Sequence, residues 1–382
     1  MRFLYIGSGD VFTRHELGFI AALSMLGKVD VVVIDQRAGV EKIRVGSDNG
    51  VWDVMFYHIP CKNVLQLTRC RSMIRRVIDI GEYDAVFATP RLPIIIAKSL
   101  FRSVVLRLWS IRAAKLRDNL RFRAYGDIAL FVPSIIANMF YIAKSVYSMA
   151  TDHATYSFAL RIYPMFKDRL VKLYSPYGFI IKNKDMEQKE PKINSEVLEV
   201  IDRGGYVLGF TVLSKKGAYL KFEAKPHAIV LYQIAKKANI DVIIAGSSPD
   251  DWQRAFPNIR VPPNLYLIKG FSDSMLPKLY SNAKLIVIPI TNRSISNRLL
   301  EALFYSKPII ASEIAVQLHP ELKHGIHIYI SNWDEIVEDN LKLLRDDEML
   351  KRLEEGAKDA YNKYFSTGIN AKIIERIVQW RL

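Results

Sequence analysis

The stretch that decides the fold reads IPITNRSISNRLLEALFYSKPIIAS over residues 288–312. An apolar, β-branched run comes first, a polar loop follows, and a helical pattern then leads into a second β-branched run. Two such runs joined by a helix predict parallel strands in an α/β sheet. Ser294 or Ser296 can cap the helix, which leaves its first N–H groups pointing into the loop. The helix start is therefore predicted to bind an anionic group.

A carboxylate, Glu301, lies about one and a half turns inside this helix. Near a cleft, it can accept hydrogen bonds from two neighbouring hydroxyls of a ribose. An ordinary capped helix with Glu301 in a surface salt bridge explains the same residues. Both interpretations stay open at this point.

The same alternation of strands and helices extends outward along the chain. Strands are predicted at residues 206–210, 241–245, 265–268, 284–289, 308–311 and 326–330, and earlier at 2–6, 29–34, 85–88 and 104–108. The pattern predicts an α/β protein with two doubly wound, Rossmann-like domains. We place an N-terminal domain at residues 1–182, a charged linker at 183–199, a C-terminal domain at 200–365 and a last helix at 366–382.

The composition is that of a globular protein with an ample core, since 50% of the 382 residues are hydrophobic and 24% are charged. The net charge of +15 favours polyanionic partners. Residues 128–150 are the nearest candidate for a spanning helix, but a proline and polar residues interrupt them, so a buried or interfacial helix is expected. Cys61 and Cys70 are expected to be reduced rather than disulfide-bonded, in an intracellular protein.

A glycine turn follows the first predicted strand, with Gly7 and Gly9 before Asp10. It is interpreted either as a tight strand-to-helix turn or as a loop that approaches a phosphate or an acceptor. A dinucleotide fingerprint would need a third glycine at position 12, where the chain has Phe12. Asp35, at the end of the second strand, keeps an NAD-linked enzyme open as an alternative.

The opening stretch resembles the C-terminal signature of the family 4 retaining glycosyltransferases, also described as glycosyl transferases group 1. Members carry a first and a second glutamate, a Leu-Glu-Ala helix and a Gly-x-Pro strand start. Glu301 matches the second glutamate, which the resemblance implies holds the donor ribose, and Asn297 and Arg298 match the helix entry. Two positions depart from the pattern, since Arg293 replaces the first glutamate and Ser306 replaces the glycine.

Other segments fall in the order of the same family. Lys225 opens a helix where the family has the lysine that holds the donor phosphates. Three lysines of the preceding loop compete for this role: Lys215, Lys216 and Lys221. Gly270 and Phe271 match a loop that frames the base, and residues 364–367 match the segment after which the last helix crosses back to the first domain. The resemblance therefore implies the GT-B fold.

The catalytic centre is the least readable part of the sequence. The family places a histidine or an aspartate after the fourth strand of the N-terminal domain, and this chain has neither at residues 108–112. Four residues are kept as candidates for the catalytic group: His15, Asp118, Asp152 and His153. His15 is also explained as a helix-capping residue. The sequence contains no Asp-x-Asp motif and no His/Cys cluster with ligand spacing, so no metal is expected.

Between residues 102 and 123, cations alternate with apolar side chains and only one acid occurs. The residues expected to form a membrane-facing patch are Arg107, Trp109, Arg112, Lys115, Arg117 and Arg121. Such a mixture is typical of an anionic membrane surface, where apolar side chains insert and cations meet headgroups. A solvated charged face explains it equally well. No nucleic acid partner is expected, because no recognised binding module is present.

These features predict a glycosyltransferase that moves a sugar from a nucleotide sugar to a lipid-linked or saccharide acceptor. The resemblance implies retention of the anomeric configuration, no metal, and no cofactor besides the donor substrate. The residues assigned to donor binding are Lys225, Arg293, Ser294, Ser296, Asn297, Arg298, Glu301, Gly270 and Phe271. A cytoplasmic protein is expected, at the inner face of the membrane if the basic patch contacts lipid.

Two other functions stay open. A degenerate transferase would bind a nucleotide sugar or a polyanion without turnover, an alternative that Arg293 motivates. An NAD-linked or epimerase-type enzyme would use the same double α/β frame. If Arg293 contacts the donor sugar, its guanidinium favours a sugar that carries an acidic group.

Overall fold

The computed structural model describes residues 1–109, 129–181, 193–215, 220–271, 273–289 and 296–381. Internal contacts divide these residues into two compact units. The first unit contains the described residues before 182 together with residues 364–381, and the second contains those from 193 to 363. The sequence predicts the last segment to begin at residue 366, whereas the unit boundary falls at residue 364.

Within the described residues, nine strands form the sheet of the first unit. They are β1 (Arg2–Ser8), β2 (Lys28–Asp35), β3 (Gly39–Ser47), β4 (Gly50–Pro60), β5 (Ala85–Ala88), β6 (Val105–Leu108), β7 (Tyr147–Ala150), β8 (Leu170–Lys172) and β9 (Phe179–Ile181). Their order is β8-β7-β6-β5-β1-β2-β4-β3-β9. Strands β8 to β4 pair in parallel, and β3 is antiparallel to both β4 and β9.

Helices cover both faces of this sheet. They are α1 (Arg14–Leu26), α2 (Leu67–Val77), α3 (Leu92–Leu100), α4 (Phe131–Lys144) and α5 (His153–Ile162). Successive residues of a strand point to opposite faces, so Leu4 and Ile6 of β1 join the core cluster with α2 and α3, while Phe3 and Tyr5 join the cluster with α1. A mostly parallel sheet with two buried faces results, as the strand–helix alternation predicts, with β3 as the antiparallel exception.

The hairpin of β3 and β4 is missing from the sequence prediction. Ser47 pairs with Gly50, so Asp48 and Asn49 form the two-residue turn between them. A Gly after Asn49 and the alternation of charged and apolar residues in β3 were signals that could have identified it.

The second unit has a parallel sheet in the order β12-β11-β10-β13-β14-β15. Its strands are β10 (Tyr206–Phe210), β11 (Val242–Ala245), β12 (Leu265–Ile268), β13 (Ala283–Ile288), β14 (Ile309–Ser312) and β15 (Tyr329–Ser331). Its helices are α6 (Ser195–Arg203), α7 (Lys225–Lys237), α8 (Pro249–Ala255), α9 (Leu276–Ser281), α10 (Asn297–Phe304), α11 (Ile314–Leu318), α12 (Ile336–Leu343) and α13 (Asp347–Ala360). The predicted strands are confirmed, although the last begins three residues later than the predicted 326.

The linker prediction is wrong at its end. Most of residues 183–199 lies outside the described part of the chain, but residues 195–199 belong to α6. Asn194 caps this helix by accepting from the N–H of Glu196 at 3.2 Å, and Val197 and Ile201 are buried beneath it. A polar, charged composition therefore concealed an amphipathic helix with one apolar stripe.

The last helix, α14 (Thr367–Arg381), belongs to the first unit. The Thr367 N–H donates to the carboxylate of Asp48 at 3.1 Å, and the Thr367 Oγ1 lies 2.7 Å from the Ser47 Oγ. A carboxylate at a helix N-terminus is stabilised by the helix dipole. Ile374 and Ile377 join the core cluster of α1, so the turn of the unpredicted hairpin and the α1 face together hold this helix.

A disulfide joins Cys61 to Cys70, which corrects the expectation of two reduced thiols. The Cα atoms are 6.0 Å apart, and the bridge ties the segment after β4 to α2. The expectation was wrong because the number of cysteines carries no information on their distance. No helix in the part of the chain that the structure describes is long and apolar enough to cross a membrane, and residues 128–150 contain α4 and β7 instead.

Candidate functional site

The sheet of the second unit has one point at which its strand order reverses, between β10 and β13. The chain leaves β10 for β11 on one side and reaches β13 on the other, so the connections diverge above the carboxyl ends of these two strands. Ligands of open α/β sheets bind in the crevice at such a switch point. Phe210 ends β10, and Pro289 follows β13 directly.

Helix α10 follows β13 and begins with a side-chain cap. The Ser296 Oγ accepts a hydrogen bond from the N–H of Leu299 at 3.2 Å, which confirms the predicted capping role of Ser296. Asn297 is the first residue of the helix. Arg293 and Ser294 lie outside the described residues, so their predicted donor contacts stay predictions.

Glu301 is buried on α10, with an exposed fraction of 1%, and does not lie in a surface salt bridge. Its Oε2 accepts from the Tyr280 hydroxyl at 2.7 Å and from the Arg298 Nη1 at 2.5 Å. The guanidinium carbon of Arg298 lies 4.3 Å from the centre of the Phe210 ring. Although burial acts to lower it, the Glu301 carboxylate raises the pKa of Arg298, so the guanidinium stays charged. A carboxylate and a guanidinium thus meet at the switch point.

Aromatic rings surround this pair. Tyr280 stacks between Phe210 and Tyr305, with ring centres 5.4 Å and 4.9 Å away. Phe271 packs edge to face against Phe210, with the ring centres 6.1 Å apart. The predicted Gly270–Phe271 loop therefore lies beside the same ring that Arg298 contacts. A pocket of 660 Å³ along the edge strand β12 also reaches Gly270. Together, the Glu301 cluster consists of Phe210, Phe271, Tyr280, Arg298, Glu301 and Tyr305.

Lys225 has a different neighbour from the one its predicted role needs. Its Nζ lies 5.4 Å from the centre of the Phe256 ring, at the end of α8. Within the described residues, no hydrogen bond or ion pair links Lys225 to Glu301 or Arg298. The Thr211 hydroxyl, just after β10, donates to the carbonyl of Ala224 at 3.1 Å and so ties the end of β10 to the segment before α7.

His227 is a residue of this region that the sequence analysis missed. It lies in the first turn of α7, is almost fully buried, and packs 6.1 Å from the Trp333 ring. Burial lowers the pKa of His227 to about 4, against a hydrogen bond with the backbone of Pro289 that acts to raise it. That bond fixes the residue directly before the 290–295 segment. A single histidine in an apolar helix gives no sequence signal for this contact.

The end of α10 explains why the family has glycine where this chain has Ser306. Ser306 adopts a φ of 52°, and its N–H donates to Leu303 at 3.0 Å while that of Lys307 donates to Ala302 at 3.0 Å. These two bonds form a Schellman motif, whose left-handed residue is usually glycine. The replacement of the family's glycine by Ser306 therefore concerns the backbone conformation at the end of α10 and leaves the Schellman motif in place.

In the first unit, Arg107 corrects the membrane-patch prediction, because its side chain is fully buried. Its Nη2 donates to the Glu16 Oε1 at 3.0 Å and to the Ser175 Oγ at 2.6 Å, and its guanidinium carbon lies 3.9 Å from the centre of the Phe19 ring. Although burial acts to raise it, the charge of Arg107 lowers the pKa of Glu16. Arg112, Lys115, Arg117 and Arg121 lie outside the described residues.

Trp109 and His15 adjoin this buried pair. The Trp109 Nε1 donates to the Glu16 Oε1 at 2.7 Å, which fixes the indole ring. The His15 ring meets that indole edge to face at 5.8 Å, and its Nε2 lies 3.7 Å from the same carboxylate oxygen. Of the three catalytic candidates in the described part of the chain, His15 is thus the one that lies in a polar cluster at the start of α1.

The other catalytic candidates have structural explanations or cannot be placed. Asp152 is buried and caps α5, accepting from the Thr155 N–H at 2.7 Å and from its hydroxyl at 2.8 Å. The His153 Nε2 lies 2.9 Å from the Ser157 Oγ, one turn along the same helix. Asp118 lies outside the described residues.

The glycine turn after β1 fits its packing explanation. A Cβ at Gly7 would lie 2.2 Å from the Val11 Cγ1, so glycine is required there by a neighbouring side chain. Around Gly9 there is open space, and Asp10 lies in the same short turn. Asp35, the acid of the NAD-linked alternative, lies 2.8 Å from the His58 Nδ1 and accepts from the Arg37 Nε at 3.1 Å.

Two α/β units with mostly parallel sheets, and a last helix that belongs to the first unit, are the features of the GT-B fold, as the resemblance predicted. Residues 211–346, most of the second unit, match the family model described as glycosyl transferases group 1. These residues of the second unit therefore form a domain similar to the glycosyl transferases group 1. No curated protein matches its sequence.

Solved structures of the same fold extend over the whole chain. HepE of Anabaena, solved in complex with UDP-glucose, is 13% identical, with a TM-score of 0.66 over 99% of each chain. WaaG, a glycosyltransferase involved in lipopolysaccharide biosynthesis, is 10% identical, with a TM-score of 0.61 over 100% of each chain. A putative UDP-N-acetylglucosamine 2-epimerase from Listeria monocytogenes is 12% identical, with a TM-score of 0.59 over 99% of this chain and 95% of that one.

Proposed function

We propose that this chain transfers a sugar from a nucleotide sugar that binds at the switch point of the second unit. The observation that carries the proposal is the pair of Glu301 and Arg298, held at the carboxyl ends of β10 and β13. A buried carboxylate accepts hydrogen bonds from ribose hydroxyls, and a guanidinium beside it pairs with a diphosphate. Neither group alone would recognise both parts of the donor.

Arg298 and the α10 N-terminus also suit the chemical step. Departure of the nucleoside diphosphate leaves negative charge on its terminal phosphate, and preorganised donors stabilise such charge as it develops. The Ser296 cap orders the first turn of α10, and the Arg298 guanidinium packs against the face of the Phe210 ring. Retention of the anomeric configuration, independence of a metal, and the phosphate contact of Lys225 stay predictions from the family resemblance.

The donor and acceptor classes follow from the same reasoning. The complex of HepE with UDP-glucose supports a uridine diphosphate sugar as the first donor to test. The involvement of WaaG in lipopolysaccharide biosynthesis supports a lipid-linked saccharide as the acceptor. A cytoplasmic location at the inner face of a membrane agrees with such an acceptor and stays a prediction.

The test is a panel of nucleotide sugars in a thermal-shift assay, because a ligand that binds only the folded chain raises the melting temperature by mass action. Bound donors are then incubated with and without lipid-linked and free saccharides, and products are identified by NMR. We expect a shift with at least one UDP-sugar and release of UDP only when an acceptor is present. If no nucleotide sugar raises the melting temperature, the proposal fails.

The same assay separates the rival functions. The epimerase of the same fold makes epimerisation the second candidate, and such an enzyme would interconvert the donor without any acceptor. A degenerate transferase would bind donors but release no nucleotide with any acceptor. An acidic sugar in the panel tests the Arg293 prediction: if Arg293→Glu weakens acidic and neutral donors by the same factor, the arginine contacts phosphate instead.

A further inference from the structure

A second switch point lies in the first unit, between β1 and β5. A pocket of 520 Å³, here called the N-terminal pocket, opens at the carboxyl ends of these strands. Ser8 ends β1 and Pro90 follows β5, and both line the pocket. Since ligands of α/β sheets bind at this position, the N-terminal pocket is a candidate site in its own right.

The pocket has the lining of a site for an amphiphilic anion. Two cations, Lys62 and Arg91, line it, and no described lining residue is a carboxylate. Arg91 has a φ of 70°, a conformation that costs a non-glycine residue free energy and that clusters at functional sites. The rest of the lining is mostly apolar and includes Ile34, Leu92, Trp109, Leu130, Pro133 and Ala137. A phosphate joined to an apolar chain matches both parts.

Helix α4 borders the pocket and has three distinct faces. One face packs into the core through Ile142, and a second lines the pocket through Ser134 and Asn138. The third is apolar and exposed, with exposed fractions of 59% at Val132, 57% at Ile136, 41% at Met139 and 47% at Phe140. Side chains at this spacing lie along one stripe of a helix. Such a stripe, without partners in water, is typical of a helix that lies in a membrane interface.

The loop that contributes Lys62 to the pocket is also apolar and exposed at its tip. Lys62 lines the pocket, and the same loop exposes Val64 and 95% of Leu65. The disulfide between Cys61 and Cys70 closes this loop onto α2, so its apolar tip is held in place.

The charge around the pocket identifies the partner. Residues 61–78, 85–109 and 129–151 contain no aspartate or glutamate. Arg69 and Arg75 of α2 are exposed, and the Lys144 Nζ lies 5.4 Å from the centre of the Phe140 ring at the end of the α4 stripe. Burial and the charge of Lys144 lower the pKa of Lys98, so two ammonium groups adjoin each other there. Cations around an apolar surface complement an anionic lipid bilayer.

We propose that α4 inserts its exposed stripe into an anionic bilayer and that the N-terminal pocket takes the phosphate and the first part of the apolar chain of a membrane lipid. This inference rests on the proposed function in one respect, since the bound lipid would carry the acceptor sugar. It also revises the membrane patch, because the inserting residues belong to α4 and the Arg107 side chain is buried.

The first test measures binding to vesicles of phosphatidylcholine alone and of phosphatidylcholine mixed with phosphatidylglycerol, by flotation. The variant Ile136→Glu with Phe140→Glu removes the stripe, and Val40→Glu with Met165→Glu is the matched control. The control pair is 54% and 67% exposed, lies in the same unit and adds the same charge. We expect the stripe variant to lose at least about tenfold in affinity for the anionic vesicles, and the control to change by about twofold or less.

The second test uses dodecyl phosphate, dodecanol and inorganic phosphate as probes of the pocket. We expect only dodecyl phosphate to bind, and Lys62→Gln with Arg91→Gln to weaken it by about tenfold or more. Lys28→Gln with Lys167→Gln, two exposed lysines of the same unit, should leave the affinity unchanged. Equal binding of inorganic phosphate would show an anion site without a lipid chain and would overturn the lipid assignment.

Three results overturn the membrane proposal. In the first, the stripe variant binds vesicles as the wild type does. In the second, the stripe variant and its Val40→Glu, Met165→Glu control lose the same affinity for vesicles, which would indicate a general charge effect. In the third, ultracentrifugation shows a wild-type dimer that the stripe variant abolishes, while neither protein binds vesicles, so that a second copy covers α4. Donor binding is measured on each variant: its absence in the wild type rejects the proposed function and leaves the vesicle result intact.

Discussion

Two buried carboxylates, one in each unit, have nearly the same neighbours. Glu16 accepts from Arg107 and from the hydroxyl of Tyr5, and Glu301 accepts from Arg298 and from the hydroxyl of Tyr280. Each guanidinium also lies over a phenylalanine ring, Phe19 in the first unit and Phe210 in the second. The two clusters share one chemistry.

They differ in the exposure of the arginine. The Arg107 side chain has an exposed fraction of 0%, whereas that of Arg298 is 38%. A fully sealed ion pair has no access to a ligand and acts on the stability of the fold, whereas a half-open guanidinium can exchange water for a phosphate. Exposure of the cation, rather than the identity of the residues, separates a structural pair from a binding pair.

The strongest test of this difference is Arg107→Met. It should lower the free energy of unfolding of the first unit by about 3–5 kcal/mol, because it leaves Glu16 buried without its counter-charge. Urea denaturation measures the loss, and amide hydrogen exchange in β1 and β6 assigns it to the first unit.

The matched variant in the other cluster is Arg298→Met. It should cost the second unit less, because the Arg298 side chain is 38% exposed and its removal opens a path by which water can solvate the buried Glu301 carboxylate. Adding Glu16→Gln to Arg107→Met should restore part of the stability of the first unit. Equal losses for Arg107→Met and Arg298→Met would contradict the distinction between a sealed and an open pair.

A second test separates the two units by pH. Burial lowers the pKa of His227 to about 4, so between about pH 6.5 and pH 4 the unfolded chain binds a proton that the folded chain does not. The contribution of His227 is present above about pH 6.5 and is lost as the pH falls through its folded pKa, by roughly 2–4 kcal/mol in the second unit. The pKa of Glu16 is lowered in the folded chain, so the stability that its charged form contributes is lost only as the pH falls below the ordinary pKa of a glutamate.

The measurement compares urea denaturation of wild type and His227→Gln from about pH 7.5 down to about pH 4.5. This range begins above the ordinary pKa of histidine, about 6.5, and covers most of the window in which the stability should fall. His324→Gln, an exposed histidine of the same unit, is the control. The pH dependence should be shallower in His227→Gln and unchanged in His324→Gln. A parallel decline in all three proteins would show that His227 does not titrate as described.

A third test concerns ligand binding at the open pair. Glu301→Gln keeps the shape of the side chain but should weaken the donor found in the panel by roughly 1–3 kcal/mol, the cost of a lost charged hydrogen-bond acceptor. Isothermal titration calorimetry measures the change. Glu313→Gln, exposed at the start of α11, should leave donor affinity as it is. Unchanged affinity in Glu301→Gln would remove Glu301 from the donor site.

The smallest expected effect is at the end of α10, the helix that carries Glu301. Ser306→Gly should raise the free energy of unfolding by about 0.5–1 kcal/mol, because glycine adopts the φ of 52° without the strain of a Cβ. Thermal denaturation detects the gain. Ser281→Gly, at the end of α9, is the control and should not stabilise the protein. A loss of stability in Ser306→Gly would show that the serine side chain outweighs the strain.

The sequence predicted the features that depend on neighbouring residues. The strand–helix–strand order of residues 288–312 and the Ser296 cap are local, and the structure confirms both. The periodicity of residues 195–201 is equally local, but a charged composition concealed it.

Contacts between distant residues could not be predicted. Arg107 lies among other cations in the sequence, and its partner Glu16 is 91 positions away, so charge density alone suggested a surface. The partner of Glu301 on α9, Tyr280, is 21 positions away and has no recognisable motif. The sequence predicts a buried or interfacial helix within residues 128–150, but the relation of the exposed α4 stripe to the pocket depends on how β1, β4 and β5 are ordered in the sheet.

The position of α14 has a consequence for biosynthesis. Ile374 and Ile377 complete a core whose other members come from the first third of the chain and from residues up to Leu173. During synthesis at about 5–20 residues per second, roughly 10–40 s pass between the emergence of β9 and that of α14. Over this interval the nascent first unit exposes the α1 surface that α14 will cover, while the whole second unit is already being made. The unit that is synthesised first is therefore the one that is completed last.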